Sequence, residues 1–225
     1  HPRQDEIQLC RDLHDQEPID FLEEVGWLGE DVWFAHATSF TSEYVRRIAR
    51  SGTGISHSPS SNMRLSYAFA PIPELVEAGA KVSVAVDGGA SNDSGDYLGE
   101  LREVLLVHRI RGLHPAPYGS AKATNPYDVL KMGTRGGASV LNRDDIGSIE
   151  VGKAADIALF NLDRLDFAGT HDPLAALLLC GSCHYADTTI VNGKILVREG
   201  RLTHMDESEI INGANKCAAR LTADA

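Results

Sequence analysis

Long apolar runs are what this 225-residue sequence most plainly lacks. The longest, from Leu174 to Cys180, falls far short of the roughly 18 or more residues that a membrane-spanning helix needs. No charged-then-apolar leader opens the chain either, so neither a membrane protein nor an exported one is expected. Positive charge is also scarce: 21 Lys and Arg stand against 32 Asp and Glu, a net charge of -11. Such a chain repels a phosphate backbone instead of gaining counterion-release energy from it, which argues against a nucleic-acid partner. The four cysteines, at positions 10, 180, 183 and 217, are too few and too scattered for a secreted disulfide framework. Reduced thiols in a soluble, cytoplasmic protein are the expectation. Cys180-Gly181-Ser182-Cys183-His184 matches the short pattern that attaches c-type haem. Haem is set aside because no export signal or nearby axial methionine accompanies the pattern, and the apolar run before it reads as a buried helix that ends there.

What is present is ordinary globular composition, 43% hydrophobic and 24% charged, enough to bury a sizeable core. No internal repeat or low-complexity segment interrupts it. The first 112 residues alternate β-like runs with helical ones, the pattern of βα units around a parallel sheet, in one barrel or open sheet. Strands are expected over residues 31–37, 53–57 and 81–87, and helices over 41–51, 71–78 and 97–111. Thr41 or Ser42 is placed to cap the first helix and Gly79 to end the second. Leu98, Leu101, Val104, Leu105 and Val107 to Ile110 give the third a helical stripe. A further helix is expected over 125–141, with Pro126 in its tolerant first turn. A small β subdomain follows, with Asn192-Gly193 as a hairpin turn, and a helix over 206–221 with Asp206 or Ser208 near its start. The expected domains are 1–142 for the βα units, 143–205 for the β subdomain and 206–225 for the final helix.

Side chains alternate along a strand, so Val82, Val84 and Val86 share one face and Ser83, Ala85 and Asp87 the other. In a (β/α)8 barrel the valines meet the outer helices and an acid at the carboxyl end faces the active site. Asp87 is therefore a catalytic or metal-binding candidate. An Asp that merely opens the Gly88-Gly89 turn is equally compatible with the spacing. His36 and His57 end the two preceding strands. A single histidine there is more often a satisfied structural residue than a ligand, but His, His and Asp at three successive strand ends supply the nitrogen and oxygen donors of a hydrolytic metal site.

Two runs, His57-Ser58-Pro59-Ser60-Ser61-Asn62-Met63-Arg64-Leu65 and Val86-Asp87-Gly88-Gly89-Ala90-Ser91-Asn92-Asp93, resemble signatures of the deaminases of the amidohydrolase superfamily. The resemblance continues through Thr134-Arg135-Gly136-Gly137-Ala138, through Gly147-Ser148-Ile149-Glu150-Val151-Gly152-Lys153-Ala154-Ala155-Asp156 and through His171-Asp172-Pro173-Leu174-Ala175-Ala176-Leu177-Leu178-Leu179-Cys180. Nearly the whole chain is covered, and the greatest similarity is to the bacterial 8-oxoguanine deaminases, with guanine, isocytosine and s-triazine aminohydrolases as relatives. The resemblance implies an α/β fold, the C-terminal half of a (β/α)8 TIM-like barrel beside a small β-sandwich subdomain. It also implies one divalent metal ion, zinc, and hydrolytic deamination of a small nitrogen heterocycle such as 8-oxoguanine. By the same resemblance Asp87 is the strand-eight metal ligand and the group that deprotonates the hydrolytic water. His36 is the strand-six histidine beside substrate and water, His57 a residue that is structural or supports the site from behind without ligating, and Asn62 a residue that shapes the substrate pocket.

The departure lies at the front. The His-x-His pair of strand one and the His-x-x-Glu of strand five are both absent, so the chain is expected to be a portion of a longer enzyme. His1 falls just past the place of the strand-five histidine and is not expected to be that ligand. The alternative that a shortened loop makes it one, with Gln4 for the glutamate, stays open. Two rival readings also remain: hydrolysis of an s-triazine or cyclic amide by the same rim, and a non-catalytic half-barrel. A homo-oligomer is compatible with the family resemblance.

Overall fold

A computed structural model of the chain describes residues 4–112, 124–181 and 185–223. His1, Cys183 and His184 lie outside the described residues. Two compact units form, His1–Lys153 with Asp163–His184, and Ala154–Leu162 with Tyr185–Ala225. Residues 163–181, placed by sequence within the β subdomain, thus group with the βα units.

The first unit opens with α1 (Gln4–His14) and α2 (Pro18–Glu24). Three βα units follow: β1 (Trp33–Ala35) with α3 (Ser42–Ser51), β2 (Gly54–His57) with α4 (Pro59–Arg64) and α5 (Ile72–Glu77), and β3 (Lys81–Val84) with α6 (Tyr97–Gly112). The strands form one parallel sheet in the order β1-β2-β3, with Phe34 opposite Ile55 and Ile55 opposite Val82. β1 and β3 stop short of their expected runs at the carboxyl end, whereas β2 keeps His57 and loses only Thr53 at its amino end. The expected helix signals operate: the Thr41 hydroxyl accepts from the Tyr44 amide at 3.3 Å, and Gly79 closes the turn after α5 at φ 80°, a conformation that costs glycine little.

α2, α3 and α5 cover the sheet with Ile19, Val45, Ile48, Ile72 and Leu75, packed together with Ile55 and Val82. Each fully buried aliphatic side chain contributes roughly 1.5–3 kcal/mol relative to exposure. α6 buries Leu98, Leu101, Val104, Leu105 and Val107, most of the stripe read from its periodicity, but Ile110 at the end of that stripe is exposed, and Glu100 and His108 are buried as well. α7 (Pro126–Lys131), a π-helical turn (Met132–Gly136) and α8 (Gly137–Val140) together occupy the helix expected over 125–141. The π turn lies on β3, and a Cβ at Gly136 would collide with the Val82 carbonyl oxygen. α9 (Pro173–Leu179) is the buried-helix run; Asp172 caps it, accepting from the Leu174 and Ala175 amides, and it packs on α6 and α7.

The second unit holds a four-stranded antiparallel sheet, β4 (Ile157–Leu159), β5 (Thr188–Val191), β6 (Lys194–Arg198) and β7 (Arg201–Leu202). Asn192 and Gly193 join β5 to β6 with φ values of 46° and 77°, the doubly positive pattern of a type I′ hairpin. A second sheet to complete a sandwich is not found among the described residues. α10 (Glu207–Thr222) ends the unit, with the Asp206 side chain accepting from the Ser208 amide.

Candidate active site

Parallel strands share a carboxyl edge, and the three candidate residues fall along it: His36 directly after β1, His57 at the end of β2 and Asp87 beyond β3. Their side chains then part. His36 Nε2 lies 3.8 Å from Asp87 Oδ2, reaching across the end of β2. His57 instead is 2% exposed and points into the protein, where its Nε2 is 3.1 Å from Nε2 of His108 on α6. Burial, reinforced by His108 and His36, pushes the His57 imidazole well below its ordinary pKa, so it stays neutral.

Asp87 is held by hydroxyls. Ser61 of α4 donates to its Oδ2 at 2.6 Å and Ser91 at 2.9 Å. The Ser61 bond is the main cause that holds the carboxyl below the usual aspartate range, with smaller help from Ser91, the Gly88 backbone and His36, while burial opposes. Asp87 is accordingly an anion at neutral pH, with its side chain one-third exposed. Asn62, the residue after Ser61, takes the His36 Nδ1–H on its Oδ1 at 2.9 Å. That bond directs the Nε2 edge of the ring towards Asp87. One short helix therefore steadies both groups. The gap between His36 Nε2 and Asp87 Oδ2 exceeds a hydrogen bond, yet a single oxygen atom can sit within bonding distance of both.

The backbone here is unusual too. His36 and Asp87 have φ of 68° and 66°, and Ala37 next to His36 has 55°, the left-handed region that non-glycine residues enter at a cost. A cavity of about 650 Å³ lies elsewhere, lined by Ile72, Val76, Val82, His108 and Met132 among others. It lies against the sheet and its covering helices and contains neither His36 nor Asp87.

Asp87 and His36 are of the chemical kinds that bind zinc, but a catalytic zinc site takes three protein ligands. Among the described residues no group of three or more His, Cys, Asp or Glu converges. The pair offers at most two of the three donors that such a site takes. Sequence reasoning did not single out Ser61, Ser91, Glu100 or His108. The first two stand inside the quoted motifs, whereas nothing in helical periodicity marks a buried Glu100 or His108.

Residues 4–196 match the model of the amidohydrolase family. The chain belongs to the amidohydrolase family. This amidohydrolase is 42% identical over 219 residues to the 8-oxoguanine deaminase of Pseudomonas aeruginosa, a match that covers 97% of this chain and 47% of that protein. Among solved structures it resembles the zinc complex of an atrazine chlorohydrolase from Arthrobacter aurescens, at TM-score 0.88 and 36% identity over 93% of this chain and 46% of the other. It also resembles a zinc-bound adenosine deaminase from Xanthomonas campestris, at TM-score 0.90 and 27% identity over 98% and 49%. The expected barrel-type architecture is the one shared with these structures. The chain spans about half the length of the curated relatives it matches.

Proposed function

We propose that this amidohydrolase serves in a hydrolytic deaminase that removes an amino group, as ammonia, from a small nitrogen heterocycle such as 8-oxoguanine or a related aminopurine or aminopyrimidine. The observation that carries the reading is the facing pair, His36 Nε2 and Asp87 Oδ2, at the carboxyl edge of the sheet. The 8-oxoguanine deaminase similarity supports the substrate class.

The residues divide the work by charge. Asp87, held as an anion largely by the Ser61 hydroxyl with help from Ser91, accepts one proton of the attacking water and then returns that proton to the amino group, which leaves as ammonia. His36, with Nδ1–H given to Asn62, presents Nε2 beside the reacting carbon, where in its protonated form it donates to the oxygen that gains charge. Asn62 holds that ring and lines the substrate side of it. Zinc is the proposed metal, as in the two solved relatives; Asp87 would be this chain's ligand to it, with the other donors outside the described residues. When bound, such an ion polarises its ligands and lowers the pKa of water towards about 7.

A second reading, hydrolysis of an s-triazine or cyclic amide, is favoured by the atrazine chlorohydrolase similarity; a non-catalytic half-barrel is favoured by the incomplete donor set. The net charge of -11 supports a free heterocycle over a base in nucleic acid. Among the described residues no helix is long and apolar enough to cross a membrane, and the free thiols of Cys10, Cys180 and Cys217 support a cytoplasmic setting. Assembly as a homo-oligomer belongs to the same proposal. The test incubates the zinc-loaded full-length gene product with 8-oxoguanine, guanine, isocytosine, aminotriazines, a chlorinated triazine and a cyclic amide, and measures ammonia, chloride and ring-opened acid. Ammonia release that drops about 10²–10⁴-fold in Asp87→Ala is expected, the range of general acid–base contributions. Chloride or a ring-opened acid would move the reading to the second chemistry, and binding without turnover to the half-barrel.

A further inference from the structure

Glu100 is a carboxylate with no part in the proposed chemistry, yet it is 1% exposed. It sits in the first turn of α6, and both oxygens are engaged. Oε1 accepts from the Ser60 backbone amide at 3.0 Å, and Oε2 accepts from the Asn92 side-chain amide at 2.9 Å. Burial pushes its carboxyl above the ordinary glutamate range, and the bonds to Ser60 and Asn92 offset only part of that. A buried carboxylate persists when its oxygens meet donors and is costly when they do not.

Both donors belong to the machinery around Asp87. α4 lacks an N-cap bond from Ser58, and Pro59 has no amide to give, so Glu100 serves as the cap that α4 does not carry itself. The next two residues are Ser61, which donates to Asp87, and Asn62, which holds His36. On the other side, Asn92 follows Ser91, the second donor to Asp87. The Asn92 Oδ1 accepts from the Ser94 hydroxyl at 3.0 Å, and its backbone amide bonds the Gly88 carbonyl at 2.9 Å. One side chain therefore ties together two segments that reach the site from opposite sides in sequence.

We infer that Glu100 is a positioning residue: its carboxylate fixes α4 and the loop of residues 88–96 so that Ser61, Asn62 and Ser91 hold Asp87 and His36 in place. For catalysis the inference rests on the deaminase reading; for geometry it does not. Glu100→Gln keeps the size of the side chain but turns an N–H group against one of the two donors. Asn92→Asp added to it reverses the pair, since the introduced amide can then donate to the introduced carboxylate while its oxygen still accepts from the Ser60 backbone.

The test measures kcat and KM of the zinc-loaded full-length gene product, and the ring-nitrogen NMR spectrum of His36 in the metal-free protein. In Glu100→Gln, kcat should fall about 10²-fold, the loss expected when a group is displaced by about an ångström, with KM within a few-fold. The His36 spectrum should pass from one tautomer to a mixture, and the reversed pair should recover both. Wild-type kcat together with a wild-type His36 spectrum in Glu100→Gln overturns the inference, as does a loss that the reversed pair leaves unrepaired. Should the wild type turn over no substrate, the deaminase reading fails and the His36 spectrum alone decides: mixed in Glu100→Gln and restored in the reversed pair sustains positioning, unchanged overturns it. If Glu100→Gln does not fold, a reversed pair that folds with the wild-type spectrum sustains the inference, and one that does not overturns it.

Discussion

Replacing Ser61 by alanine deletes the shortest bond to Asp87 and little else, because Ser61 is fully buried and its hydroxyl points at Oδ2 from 2.6 Å. A hydrogen bond to a charged group contributes roughly 1.5–3 kcal/mol. Two features reduce that here: Ser91 remains as a donor, and a side chain one-third exposed can recruit water and is screened. The expected loss at pH 7 is about 1 kcal/mol, or about 2–4 °C in thermal midpoint for a chain of this size. Its sign with pH follows from linkage. Asp87 has a folded-state pKa below its unfolded value, so its contribution is complete above about pH 3.9 and is lost as pH falls through the folded value. Thermal unfolding of metal-free wild type and Ser61→Ala, followed from pH 7 to about pH 3, should show two curves that converge on acidification. A gap that stays constant to the lowest pH would refute the assignment, since the hydroxyl would then serve packing and not the carboxylate's charge; no gap at pH 7 would refute the bond itself.

Three further outcomes are expected. His57 is neutral when folded and titrates near pH 6.5 when unfolded, so its contribution is full above that pH and lost as pH falls; the urea midpoint should decline below about pH 6.5, with a shallower slope in His57→Gln. Gly136→Ala drives a Cβ into the Val82 carbonyl and should destabilise by roughly 1–3 kcal/mol, seen as a lower thermal midpoint; an unchanged midpoint would show that the π turn can move off β3. Leu105→Ala, at a fully buried position of α6, should cost roughly 2–5 kcal/mol by chemical denaturation.

The βα order and the places of His36, His57 and Asp87 are legible in sequence because parallel strands put their ends on one edge, so a residue that ends an apolar run lands there. What the run cannot show is direction after the strand stops. His57 turns inward because a partner waits 51 residues away on α6, a separation no local pattern reports. α4 is six residues long, too short to print a helical period, although it steadies both His36 and Asp87. Glu100 sits beside Leu98, Leu101 and Val104 in α6, where hydrophobic periodicity registers the apolar neighbours and passes over a buried acid. The boundary at residue 143 marks a change in composition, but α9 packs back onto α6 and α7, which only a folded chain reveals.

The left-handed backbone at His36 and Asp87 bears on how variants of this protein should be sorted. Such φ values cost a non-glycine residue roughly 1–3 kcal/mol each, and glycine at either position recovers that while losing the side chain's bonds. Relief and loss are of similar size, so a chain that has lost either side chain can melt where its parent does. On the proposed deaminase chemistry, a library ranked by heat resistance alone would pass over the site and enrich inactive sequences. Turnover has to be scored alongside survival for these two positions to show up at all.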